Sequence, residues 1–304
     1  MGSLSYLASP TVTREVLAEH GLAAKYSLGQ NFLVNDAILQ KIVALAGLEG
    51  TDRILEVGPG IGTLTIALLK NAAHVTSIER DPDLPAVLAE TLDPWVDSFT
   101  LIKKDALDLS LDDLTGQGQS TPNKLVANLP YAVAATVVLD YFERIESIES
   151  ATVMVQKEVA DRMAAEPGTK NYGAYTVKLR LYAEPAGRFL VGPNNFFPPP
   201  RVDSSVIRLD RRPVMDDAGE AVDGKTLAAA CTMADAAFAS RRKTLSNSCK
   251  TYFAGRGSAY AFMAAKLPEL FERAGIDPKR RGETLSLVEF VRMGQALLEL
   301  QSAC

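Results

Sequence analysis

The sequence predicts an α/β protein, a doubly wound and mostly parallel sheet in a Rossmann-like domain followed by a smaller all-helical domain. Three observations predict it: short apolar runs that alternate with helical spacing from residue 53 onward, a glycine-rich turn between the first run and its helix, and a purely helical texture beyond residue 224. Residues 25–33 form an N-terminal segment, and 36–46 read as a helix capped by Asn35 or Asp36. Runs at 53–57, 75–79, 100–103, 124–127 and 151–156 read as strands, and the stretches between them place apolar residues three and four apart. Strands joined by crossover helices give a parallel sheet that binds ligands at its carboxyl edge. A run at 202–209, after the rigid Pro198-Pro199-Pro200, reads as another strand of the same sheet. Residues 211–224 are polar and contain Pro and Gly. The boundary therefore falls near Pro213, giving domains 1–212 and 213–304.

A chain of 304 residues that is 47% hydrophobic can build a sizeable core. No apolar run approaches the roughly 20 residues that span a bilayer, and residues 1–10 lack the basic start and apolar stretch of a secretory signal, so the expected compartment is the cytoplasm. Cys231, Cys249 and Cys304 are too few and too dispersed for a disulfide framework and read as reduced, structural thiols. With two histidines, His20 and His74, and no acidic cluster at ligand spacing, no metal centre is expected. The chemistry must come from an organic cofactor or from carboxylates and amides. The net charge of −5 runs against a grip on nucleic acid, although a basic stripe on one face can coexist with acid elsewhere.

The first strand runs into Glu56-Val57-Gly58-Pro59-Gly60-Ile61-Gly62, and a helix follows over 63–70. Alternate glycines let the backbone turn tightly and approach a nucleoside closely. The second strand ends in Glu79, whose carboxylate can accept from both hydroxyls of a ribose, and the third leads to Asp105, placed to accept from an adenine amino group. Taken singly, each is also compatible with a structural turn or a solvated acid. Together they fit S-adenosylmethionine at least as well as a dinucleotide. After the fourth strand comes Asn128-Leu129-Pro130-Tyr131. An amino group conjugated with a purine is a poor nucleophile. Drawing its two hydrogens to the Asn128 side-chain oxygen and the Leu129 carbonyl biases the nitrogen toward tetrahedral geometry, and Tyr131 can stack on an extruded base. The bland alternative is an Asn cap before a first-turn Pro.

Leu28-Gly29-Gln30-Asn31-Phe32-Leu33, the Glu56 to Gly62 turn and the Asn128 to Tyr131 motif resemble the ribosomal RNA adenine dimethyltransferases. Gln156-Lys157-Glu158-Val159 with Arg162, Tyr172-Gly173, the run from Phe196 to Ser204, and Ala237-Phe238 with Arg241-Arg242-Lys243-Thr244 resemble the small-subunit branch, the KsgA type. The likeness extends over residues 25–293. It implies transfer of methyl groups from S-adenosylmethionine to N6 of two adjacent adenines in the 3′-terminal hairpin loop of 16S rRNA, by a monomer acting on the small ribosomal subunit or its precursor, away from any membrane. Carried over residue by residue, it implies that Asn31 and Leu33 contact the methionine part of the cofactor, Gly58 lies at the turn, Glu79 holds the ribose, Asp105 the adenine, and Asn128 sits between cofactor and substrate. Phe196 would face Tyr131 across the target base. Arg241, Arg242 and Lys243 would meet RNA phosphates, where a charge run on a helix otherwise reads as a solvated face. The acidic linker, with Asp216, Asp217, Glu220 and Asp223, departs from what an RNA-binding protein would carry. The rivals are a large-subunit methylase of the macrolide-resistance kind, a non-catalytic ribosome-assembly factor, and a nicotinamide dehydrogenase.

Overall fold

The computed structural model describes residues 2–25, 28–115, 121–255 and 258–302, with backbone alone for 258–262. Tyr26 and Ser27 of the N-terminal segment, and Cys304, lie outside the described residues. The chain opens with α1 (Pro10–Glu19), which the sequence pattern does not announce, followed by a two-residue strand β1 (Phe32–Leu33) and α2 (Asp36–Ala46). The second helix begins and ends as its sequence dictates. The Asn35 side chain accepts from the Ala37 backbone N–H at 2.9 Å, and Gly47 closes the last turn in the left-handed region at φ 57°.

Strands and helices then alternate: β2 (Arg53–Val57), α3 (Thr63–Leu69), β3 (His74–Glu79), α4 (Leu84–Thr91), β4 (Phe99–Lys103), α5 (Leu111–Thr115), β5 (Lys124–Asn128), α6 (Ala134–Arg144) and β6 (Ser150–Gln156). After α7 (Lys157–Met163) and α8 (Ala174–Arg180) come β7 (Ala183–Val191), β8 (Phe196–Phe197) and β9 (Ser204–Arg211). The α-helices α9 (Gly224–Phe238), α10 (Leu245–Ala254), α11 (Ser258–Ala274) and α12 (Leu287–Ser302) follow among the described residues. The main sheet has the order β4-β3-β2-β5-β6-β9-β7, while β1 and β8 pair separately. Strands β2 to β6 pair in parallel, and β9 runs antiparallel to β6. The sheet order reverses between β2 and β5, which opens a crevice at their carboxyl ends.

Burial follows this layering. Every residue of α3 and β3 is buried, and side chains such as Ile66 and Leu68, at 0% exposure, each contribute roughly 1.5–3 kcal/mol. Strand β7 was not expected. Its sequence carries Pro185 and Gly187, the residues between its buried ends alternate between half-buried and exposed, and it lies at the end of the sheet order, where a missing N–H is tolerated.

The chain divides into two compact units, residues 1–160 with 185–211, and residues 161–184 with 212–304. Compared with the boundary expected near Pro213, residues 161–184 group with the helices. Their buried side chains, Ala165, Tyr172, Val177 and Leu181, belong to one apolar cluster with Ala230, Met233, Phe253 and Phe290. The Tyr172 hydroxyl donates to the Leu285 carbonyl at 2.9 Å. Within this unit α12 crosses α9 closely: a Cβ on Gly294 would lie 2.7 Å from the Ala230 nitrogen.

Candidate active site

A cavity of about 720 Å³ lies at the carboxyl edge of the sheet in the first unit. Its walls include the ends of β2, β3, β5 and β6, the N-terminal segment, and residues 198–202. The strand–turn–helix geometry brings Gly58, Glu79, Asp105, Asn128 and Tyr131 to this one space, together with Asn31 and Leu33 from β1 and the residue before it.

The glycine turn leaves β2 with Gly58 at φ 72° and Gly60 at φ 61°. Any side chain would be strained at both positions. A Cβ on Gly58 would also meet the Pro130 ring at 3.5 Å, and one on Gly60 the Phe32 ring at 3.1 Å. The turn is thus packed from below and open to the cavity above.

Glu79 ends β3 with 7% exposure and accepts from the Asp81 N–H at 2.8 Å. Burial raises its pKa, an effect opposed by backbone N–H groups of Asp81, Arg80 and Gly60. Asp105 is engaged on both oxygens: Oδ1 accepts from the Leu107 N–H at 3.0 Å, and Oδ2 from Arg80 Nη1 at 3.0 Å. Asn128 is half-buried at the end of β5, and its Nδ2 donates to the Asn31 carbonyl at 3.2 Å. The planar amide therefore presents its oxygen on the opposite side. Tyr131 is held through its hydroxyl, 2.6 Å from Ser204 Oγ at the start of β9.

Phe196 departs from the expectation. It is 4% exposed, belongs to the core cluster of the first unit and is absent from the cavity wall. Pairing with Leu33 in the β1–β8 ladder fixes its backbone, and the ring packs inward. Tyr131 lines the cavity and the proline run 198–200 borders it, while Phe196 is not among the lining residues. Arg241, Arg242 and Lys243 lie in the second unit and are exposed. Arg241 is committed within the protein, to Glu283 at 3.1 Å and to the carbonyls of Lys170 and Tyr172. Arg242 and Lys243 follow it on the surface.

Among the wall residues to which the sequence assigns no role are Gln30, Glu56, Arg80 and Gln156. Gln30, Glu56 and Gln156 lay inside the motifs already quoted. Glu56 is 1% exposed; its Oε2 accepts from Thr65 Oγ1 at 2.8 Å and Ser77 Oγ at 2.6 Å, and its Oε1 has no partner. Burial pushes its pKa up to about 7, the two hydroxyls opposing and nearby Glu79 reinforcing the shift. The folded state then keeps a proton that the unfolded chain releases near pH 4.5. Stability should fall as pH rises from that value toward 7. Thermal midpoints of wild type and Glu56→Gln, measured at pH 5 and pH 8, should show the variant gaining relative stability at pH 8. Parallel profiles would remove Glu56 as the source.

Comparison with known proteins bears on this site. The family model for ribosomal RNA adenine dimethylase matches residues 21–292. The ribosomal RNA small subunit methyltransferase A of Enterococcus faecalis is 42% identical over 293 residues, 96% of each chain. Among solved structures, a dimethyladenosine transferase from Plasmodium falciparum superposes with a TM-score of 0.70 at 22% identity, covering 89% of this chain and 98% of its own, a likeness of fold. The 23S rRNA methyltransferase ErmE superposes at 0.60 with 25% identity, covering 88% and 99%.

Proposed function

Because the chain belongs to the ribosomal RNA adenine dimethylase family, we propose that it is the enzyme that methylates N6 of adenine in small-subunit ribosomal RNA, with N6,N6-dimethyladenine as the end product. The observation that carries the reading is the Asn128 amide, oriented by the Asn31 carbonyl in the same cavity as Glu79 and Asp105. The small-subunit name of the 42% identical relative favours that substrate over the large-subunit RNA named for ErmE.

The cavity fits S-adenosylmethionine by the chemistry of its donors and acceptors. Two glycines at positive φ leave room beside the turn, an acid suited to a ribose ends β3, and a second acid suited to an amino group follows β4. Asn31 and Leu33 are the residues for the methionine part. When bound, the cofactor supplies a methyl group already activated by its positive sulfur. The protein's own contribution is geometry. Asn128 Oδ1 and the Leu129 carbonyl accept the two hydrogens of the target amine, turning its lone pair toward the methyl donor. Tyr131 covers one face of the extruded base, a stack worth about 1–3 kcal/mol. After the first transfer one hydrogen remains, so one acceptor suffices for the second. Arg242 and Lys243 are the residues offered to phosphate, and the partner is 16S rRNA in the small subunit or its precursor.

Incubating the purified protein with labelled S-adenosylmethionine and unmethylated small subunits tests this. Mass spectrometry should find dimethyladenine. Cofactor binding without N6 modification of free RNA, immature subunits or mature subunits would instead support the assembly-factor reading.

A further inference from the structure

Gln30 stands immediately before Asn31, whose carbonyl orients Asn128, and both ends of its side-chain amide are held. Nε2 donates to Asp81 Oδ2 at 2.6 Å, and Oε1 accepts from the Lys25 backbone N–H at 2.8 Å. Asp81 is 2% exposed, and its other oxygen accepts from Lys25 Nζ at 2.6 Å. The same ammonium reaches Asp83 Oδ2 at 2.5 Å. Burial by itself would raise the pKa of Asp81; the Lys25 ammonium, the Asp83 N–H and the Gln30 amide outweigh it and hold the carboxyl below its usual range. Asp81 is therefore held in its ionised form, the form that accepts from Gln30 and Lys25.

This chain of contacts reaches from the ribose end of the cavity to its catalytic end. The Asp81 N–H donates to Glu79, the Asp81 carboxylate grips Gln30, and the next carbonyl in the chain accepts from Asn128. An Asn side chain rotates about two bonds, and the bond to Asn31, at 3.2 Å, selects which face its oxygen shows. A shift of about 1 Å in the Asn31 carbonyl would release that selection, and misplacement on this scale can slow a reaction about a hundredfold.

We infer that Gln30, clasped by Asp81 and Lys25, is a positioning residue that acts through the Asn31 carbonyl to fix the Asn128 amide for methyl transfer. The inference rests on the reading of Asn128 as the acceptor for the target amine. Gln30→Met keeps the length and apolar bulk of the side chain and removes both clasp bonds.

Its single-turnover rate, with RNA and S-adenosylmethionine both saturating, should fall at least tenfold. Calorimetric affinity for S-adenosylhomocysteine should stay within about threefold of wild type. Asp81→Asn should show the same split between rate and affinity, and it serves if Gln30→Met does not fold. Added to Asn128→Ala, Gln30→Met should cost nothing further, because the group it positions is gone. A wild-type rate in a folded Gln30→Met would overturn the inference. So would a loss that tracks cofactor affinity, or an equal loss in the Asn128→Ala background. A wild-type rate in Asn128→Ala itself would instead overturn the underlying reading.

Discussion

Asn128→Ala should slow methyl transfer by about two orders of magnitude or more while RNA affinity stays close to wild type. In the proposed arrangement the substitution removes one of two acceptors for the target amine and leaves the Leu129 carbonyl and Tyr131 in place. The proposed stacking and phosphate contacts should therefore be retained, and the loss should fall on alignment, where an error of about 1 Å can cost about a hundredfold. The residue lies at the end of β5, half-buried, and donates a single bond, to Asn31, so its removal should perturb folding little. Single-turnover transfer of labelled methyl, paired with filter binding of the same RNA, separates the two quantities. Parallel loss of rate and RNA affinity would assign Asn128 to binding.

Glu79→Ala should weaken binding of S-adenosylhomocysteine by about 1–3 kcal/mol, the range for hydrogen bonds to a charged acceptor. Glu79 also accepts from protein N–H groups, among them that of Asp81, so truncation leaves donors without a partner. Glu79→Gln supplies the control, since it keeps one oxygen for those donors while removing the charge. Calorimetry should rank affinity as wild type, then Gln, then Ala. Wild-type affinity in a folded Ala variant would place the ribose elsewhere.

The parts of this molecule that the sequence discloses are those fixed by local chemistry. Strand β5 is buried nearly throughout and carries the apolar run Leu125-Val126-Ala127, and a strand that enters a glycine turn and a helix must present its last residues at the carboxyl edge. That is why Glu79, Asp105 and Asn128 could be named before any coordinates. Strand β7 could not, because Pro185, Gly187 and its half-solvated pattern mimic a loop. Gln30 and Asp81 are 51 residues apart, and nothing in either neighbourhood announces the pairing. Phe196 illustrates the converse. The motif around it is legible, but whether its ring faces cavity or core depends on the β1–β8 ladder.

The second unit is built from two separated stretches, 161–184 and 212–304, and this has a consequence for synthesis. When residues 161–184 leave the ribosome, the helices that bury Tyr172, Val177 and Leu181 have not yet been made. At about 5–20 residues per second, α9 follows roughly several seconds later. During that interval the apolar segment lacks its partners, and strands β7 and β9 of the first unit are also still emerging. A chaperone that shields short apolar stretches on nascent chains would act most strongly on this interval, and a fragment beginning at residue 213 would lack one wall of its own core.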